Sequence, residues 1–195
     1  MKISKLVSIL LALTFFGCSD DIQILEERIK TQAELNNTEI SSAEIKKTAL
    51  YLNAWSKKDF YKDAINEFLE EDRLDFPKEI EVLFTGSSSI RFWNSLEDDM
   101  QPLKVLNRGF GGAHISHVNH HFEDVIQRYS PKAIVFFCGT NDLTALKTPE
   151  ETIQDFEILK DKIHQALPGV HLFVIGIKPS PARVYLEKEE IAYNE

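Results

Sequence analysis

Three short glycine-bearing stretches carry the residue types that acyl transfer needs. Gly86-Ser87-Ser88-Ser89 runs into Ile90-Arg91-Phe92-Trp93, Asn107-Arg108-Gly109-Phe110-Gly111-Gly112 forms the second, and Gly139-Thr140-Asn141-Asp142 the third. A serine where a strand turns into a helix sits among free backbone N–H groups at the positive end of the helix dipole. Glycine lets a backbone N–H approach a reacting oxygen closely, and an asparagine amide adds a donor that needs no titration. A serine N–H, a glycine N–H and an asparagine amide together can hold an oxyanion.

The same residue types also occur in other chemistries. Gly86 to Ser89 could be a phosphate nest, but it lacks the lysine of a P-loop. Gly109-x-Gly111 has His114 where a dinucleotide fingerprint needs its third glycine. Ser88 on its own could be a helix cap; the other two loops argue for more. His114, His117, His120 and His121 form a metal candidate: His117 and His121 are i, i+4, His114 is i−3, and Asp124 is close behind. The plainer reading is a polar helix face near a cleft mouth, with His114, two residues past Gly112, placed to touch substrate. Arg91 either binds an anionic substrate group or covers the loop and pairs with a nearby carboxylate. Cys138 reads as a small core residue at the end of a buried strand.

The elements that must position these loops alternate along the chain. Apolar runs predict strands at 80–85, 103–107, 133–138 and 171–177. Helical patterns lie between them near 89–97, 115–128 and 149–167, the last opened by Thr148, Pro149 and Glu151 as cap, first turn and capping-box partner. Strand-helix alternation implies an α/β fold, a parallel sheet with helices on both faces. Loops after parallel strands share the carboxyl edge, where such sheets bind ligands, so the three motifs should meet in one crevice. Upstream, Ser41-x-x-Glu44 looks like a capping box, followed by Ile45, Ala49, Leu52 and Trp55 on one helical face. A second helical pattern holds Phe60, Ala64, Ile65, Phe68 and Leu69, and Pro77 closes the region.

The three motifs, in this order and each behind a strand, resemble those of the SGNH hydrolases, also called the GDSL lipase/esterase family. The resemblance runs from about residue 64 to the end. The family's Gly-Asp-Ser stands here as Gly86-Ser87-Ser88, which gives Ser88 the nucleophile's place, and Trp93 also fits. The family's oxyanion glycine lands on Gly112, and its Gly-x-Asn-Asp on Gly139 to Asp142, with Asn141 as oxyanion donor. Ser87 departs from the family's aspartate, and Gly-Ser-Ser-Ser-Ile-Arg is similar to a sub-branch. The resemblance implies a flavodoxin-like three-layer α/β/α fold and a serine esterase working through an acyl-enzyme. It also implies acylated glycans, lipids or small esters as substrates, with no metal or organic cofactor.

The family's fourth block, Asp-x-x-His after a fifth strand, supplies the base and its orienting carboxylate. The literal match here, Asp161-x-x-His164, lies in the helix that buries Ile153, Phe156, Leu159, Ile163 and Leu167; Asp161 falls opposite this stripe, and we read the pair as solvated. The last strand and helix, and the base, are therefore expected beyond Glu195, with this chain incomplete at its C-terminus. A non-catalytic surface lipoprotein that binds a ligand in the same cleft is the competing reading.

At the other end, Lys2 and Lys5 precede the apolar stretch Leu6 to Phe16, closed by Gly17 and Cys18. This reads as a secretory signal. Thr14-Phe15-Phe16-Gly17-Cys18 resembles the bacterial lipoprotein signal, which implies a lipidated Cys18 after cleavage. Ser19-Asp20-Asp21 resembles an acidic export tag, so the outer membrane or cell surface of a Gram-negative bacterium is the expected place. The expected organisation is a signal peptide at 1–17, a polar, partly helical tether at 18–40, a helical extension at 41–78 and the hydrolase domain at 79–195. The composition agrees: 195 residues, 43% apolar and 27% charged, suit a soluble globular protein. With 22 basic and 31 acidic residues, the net charge of −9 repels phosphate backbones and argues against nucleic acid as a partner. Two cysteines exclude a disulfide framework.

Overall fold

The structure, a computed structural model, describes residues 19–195. Residues 1–17, expected to be a signal peptide, and Cys18 lie outside the described residues. The chain divides into two compact units, parted after Trp55.

In the first unit, α1 (Ser19–Leu35) packs on α2 (Ser42–Trp55). The helical part of the segment expected to be a partly helical tether runs unbroken to Leu35. Ile22, Leu25 and Ile29 recur at helical spacing among its polar residues, and Ile29 is buried. Asn37, with φ of +50°, turns the chain, a conformation asparagine tolerates better than most residues. The capping box forms as expected: Ser41 N–H donates to Glu44 at 3.0 Å, and Glu44 N–H to the Ser41 hydroxyl at 3.3 Å. Ile45, Ala49, Leu52 and Trp55 are the buried residues of α2.

The second unit opens with a short 3-10 turn and α3 (Lys62–Leu74). Then come β1 (Val82–Gly86), α4 (Ser88–Arg91), α5 (Leu96–Asp99), β2 (Val105–Gly109), α6 (Ile115–His120) and α7 (Phe122–Val125). β3 (Ala133–Phe137), α8 (Thr140–Thr144), α9 (Pro149–Ala166), β4 (His171–Val174) and α10 (Glu187–Asn194) complete it. The four strands form one parallel sheet in the order β2-β1-β3-β4. Its register pairs Gly86 with both Gly109 and Phe137, so β1, β2 and β3 end level and their following loops start side by side.

Alternation along the strands sets the two faces. Leu83, Ile134 and Phe136 join Phe110, Ile115, Val118, Leu159 and Ile163 in the larger core, which α3, α6 and α9 cover. Phe84, Ile90, Leu96 and Val105 form the smaller core under α4 and α5. Asp72 on α3 and Arg108 on β2 make a buried ion pair at 2.6 Å, with the Tyr129 hydroxyl donating to the same carboxylate at 2.6 Å. Past β3 the second face thins out: Phe173, in register with Val135, is 58% exposed on the edge strand β4.

The expected 89–97 helix is two short turns, α4 and α5, because Phe92 to Asn94 leave helical geometry around the packed Trp93. The expected 115–128 helix breaks at His121 (φ −97°, ψ 21°) and again at Ile126. α9 forms as expected, with Thr148 and Glu151 exchanging the two capping bonds; Asp161 and His164 on it are exposed.

Candidate active site

Gly86 ends β1 at φ +124°, and a Cβ there would stand 2.1 Å from the Phe137 carbonyl oxygen, so only glycine fits. Phe110 N–H donates to the Gly86 carbonyl at 3.1 Å and Ser87 N–H to the Phe137 carbonyl at 2.9 Å. The first loop is thereby tied to the second loop and to the end of β3. Ser87, buried, occupies the N-cap of α4 and starts the turn by accepting from the N–H groups of Ile90 and Arg91. Ser88 is the first residue of α4, half-buried, and neither its N–H nor its hydroxyl is hydrogen-bonded among the described residues.

The second loop is clamped to the first by Asn107. Its side-chain N–H donates to the Ile90 carbonyl at 2.7 Å, and its oxygen accepts from Gly109 N–H at 2.9 Å. Gly109 lies so close to α4 that a Cβ would meet Arg91 N at 2.7 Å. Gly112 adopts φ of +70°. The Ala113 carbonyl accepts from the Asn141 amide at 3.0 Å and from the Cys138 thiol at 3.2 Å. This contact joins the second loop to the third and leaves the other hydrogen of the Asn141 amide without an acceptor among the described residues.

Asp142 completes the frame. Its carboxylate is fully buried and accepts from Ile115 N–H at 3.2 and 3.3 Å, the N-terminus of α6, and from Lys147 Nζ at 2.9 Å. Burial raises its pKa to about 6 against the opposing pull of Lys147. Lys147 in turn reaches Asp155 at 2.6 Å. The N-terminus of the helix that follows Gly112 is therefore anchored to the residue that follows Asn141. The sequence reading took Asp142 only as the end of a motif and missed Lys147; a lysine five residues on gives no local sign that the two meet.

The structure brings Ser88, Gly112 and Asn141 to neighbouring loops on the carboxyl edge of one sheet. It does not assemble the histidines into a metal face. The break at His121 takes it off the α6 helix, and both nitrogens of His117 are engaged: Nδ1 accepts from His114 N–H at 2.9 Å, which leaves Nε2–H to donate to the Lys57 carbonyl at 3.1 Å. His120 pairs with Asp59. Among the described residues no three His, Cys, Asp or Glu side chains are grouped to hold an ion. His114 is fully buried with its ring stacked on His117, 4.8 Å between centroids, not exposed to a cleft. Burial lowers its pKa to about 2, with His117 and Lys147 adding to the effect, so it stays neutral and is a poor proton carrier. Cys138 is buried, as expected.

The sequence profile of the GDSL-like lipase/acylhydrolase family matches residues 84–195, more than half of the chain. No curated protein is significantly similar in sequence. Solved structures with the same fold include a protein provisionally described as a platelet activating factor from Streptococcus pneumonia, at 17% identity and a TM-score of 0.59 over 76% of this chain and 67% of that one. A GDSL-like lipase from Bacteroides thetaiotaomicron gives 17% identity and 0.56 over 66% and 69%. A protein provisionally described as an acylhydrolase from Bacteroides fragilis gives 20% and 0.50 over 56% of each chain. At these identities the structural likeness speaks to the fold.

Proposed function

This chain belongs to the GDSL-like lipase/acylhydrolase family, and from that membership we propose that it hydrolyses acyl or acetyl esters of glycans or lipids through an acyl-enzyme on Ser88. The observation that carries this reading is the stitching of the three loops. The Gly86 carbonyl holds Phe110, Ser87 holds Phe137, and Asn141 holds Ala113, which keeps the three candidate groups at one sheet edge.

In this reading Ser88 Oγ attacks the ester carbonyl carbon and gives up its proton to a base. The carbonyl oxygen becomes an oxyanion that accepts hydrogen bonds from the N–H groups of Ser88 and Gly112 and from the Asn141 amide. Collapse breaks the bond to the alcohol, which leaves with a proton returned by the base. Water then attacks the acyl-enzyme by the same route and releases the acid. We leave the base to the Asp-x-x-His pair that the family resemblance implies. The export reading joins this one: lipidation of Cys18 would hold the enzyme at the outer membrane or cell surface.

The competing reading, a lipoprotein that only binds its ligand, draws on the absence of a hydrogen bond to the Ser88 hydroxyl among the described residues. One experiment separates the two. A fluorophosphonate probe followed by peptide mass spectrometry is expected to label Ser88 and to spare a Ser88→Ala variant, with p-nitrophenyl acetate turnover falling to background in that variant. Unchanged turnover in Ser88→Ala removes the nucleophile assignment; no labelling and no turnover in the wild type favours the binder.

A further inference from the structure

A groove of about 400 Å³ runs beside the open edge of β2, between α3 on one side and the α4–α5 segment on the other. Its floor includes Gly109, Phe110 and the Arg91 side chain. Arg91 lies flat on the second loop, its Nη1 2.7 Å from where a Gly111 Cβ would stand. Arg91 is three residues past Ser88 on α4, and Gly109 and Phe110 lead to Gly112, so the groove is built on the same two segments that carry two of the candidate oxyanion donors. The geometry points to this groove as the subsite for the alcohol portion of the substrate, and to a neutral or amino-bearing carbohydrate as that alcohol. The inference rests on the ester-hydrolase reading and narrows it from glycans or lipids to glycans.

Three features carry it. First, the groove offers uncommitted polar groups of both senses. The side chains of Arg91, Asn94, Glu67 and Glu97 line it and make no side-chain hydrogen bond or ion pair among the described residues, Arg91 resting only over the Phe92 ring. Sugar hydroxyls donate and accept at once, and this set supplies acceptors on the carboxylates, donors on the guanidinium and both on the amide. Second, it has a fixed aromatic wall. The Trp93 indole N–H donates to Asp99 at 2.6 Å, the Ser95 hydroxyl holds the same carboxylate at 2.7 Å, and the ring packs edge-on to Phe84. A ring held in place this way presents contact surface without losing rotamer freedom on binding. Third, its charge is wrong for a phospholipid. Glu67, Glu71, Glu97 and Asp98 line it beside Arg91 and Arg108, and the Arg108 charge is already met by Asp72 at 2.6 Å and by Glu71 at 3.5 Å. A phosphate headgroup would meet a net negative field, and an acyl chain would find no continuous apolar wall.

The test is a binding measurement on the full chain carrying Ser88→Ala, so that no turnover intervenes. Partially O-acetylated xylo-, manno- and chito-oligosaccharides are titrated against tryptophan emission, with lysophosphatidylcholine below its micellar concentration as the counter-probe. At least one neutral oligosaccharide is expected to give a saturable change that vanishes in Trp93→Phe. Asn94→Ala combined with Glu97→Gln should weaken it tenfold or more, and lysophosphatidylcholine should give none. Absence of binding by every oligosaccharide, persistence of the signal in Trp93→Phe, unchanged affinity in the double variant, or tighter binding of lysophosphatidylcholine would each overturn the inference. The hydrolase reading fails separately, on the fluorophosphonate labelling and p-nitrophenyl acetate turnover of the wild type, where groove occupancy plays no part.

Discussion

Asn141 commits one amide hydrogen to the Ala113 carbonyl, and in the proposed reaction the other would meet the oxyanion, so its loss would remove both a donor and a tie between loops. In a version of the protein active on p-nitrophenyl acetate, Asn141→Ala should lower kcat by roughly 10² to 10³, with a smaller effect on KM, as expected of a donor used in the transition state. Asp142 behaves differently. Its pKa in the fold is about 6 against an ordinary 3.8, so the folded state binds its proton more tightly than the unfolded state does. Between those values the unfolded chain holds fewer protons at this site, and its contribution to stability falls as pH rises through 6. Asp142→Asn mimics the protonated form. Melting temperatures taken from pH 4.5 to 7.5 should show the wild type losing ground to Asp142→Asn as pH rises; a constant difference would mean that Lys147 keeps the carboxylate ionised throughout. The meeting of the loops that carry Ser88, Gly112 and Asn141 was legible in the sequence because each is a short glycine-bearing motif directly behind a parallel strand. The Asn107 clamp and the Asp142 anchor were not, because their partners are 17 and 27 residues away and only the fold brings them near.

The first three strands were found within two residues and the fourth ends three residues early, since apolar runs between glycine-rich loops leave little freedom, and the level ends of β1, β2 and β3 follow from the pairing of Gly86 with Gly109 and Phe137. Helices bounded by strong caps, α2 and α9, also matched their patterns. The misses share a cause: tertiary packing overrode local periodicity. α6 and α7 are separated at His121 although the apolar spacing runs through, and the expected 89–97 helix is split into α4 and α5 around Trp93. The same element scale gives a direct test of the crossing at the sheet edge. Gly86→Ala would force a Cβ to 2.1 Å from the Phe137 carbonyl oxygen at a φ of +124°. It should cost about 3 kcal/mol or more in urea unfolding, through strain and the displaced Ser87–Phe137 bond. Gly169→Ala, with nothing within 4 Å, provides the comparison: its φ of +89° leaves only the backbone term, so its loss should be clearly smaller.

Across the whole molecule, location and solubility follow from different surfaces. The export reading predicts that Cys18→Ala moves the protein from the membrane to the soluble fraction and abolishes incorporation of labelled fatty acid, since stable anchoring needs the several chains of a lipoprotein cysteine. Solubility turns on the far edge of the sheet. β4 has β3 on one side and no strand on the other among the described residues. Phe173, Val174 and Ile175 there are 58%, 48% and 42% exposed, so both faces of the strand show apolar surface beside unpaired backbone groups. An edge of that kind pairs with another like itself, and the net charge of −9 spread over the chain opposes this only at long range, where salt screens it. The chain should therefore associate as concentration rises, and more readily at high salt. Replacing Phe173 and Ile175 together by lysine places two charges along the exposed strand and should keep the protein monomeric at concentrations where the wild type forms larger species. Sedimentation velocity at low and high salt reads both effects at once. A wild type that stays monomeric at high salt and high concentration would show that the β4 edge is protected by its own twist and needs no charge to keep it apart.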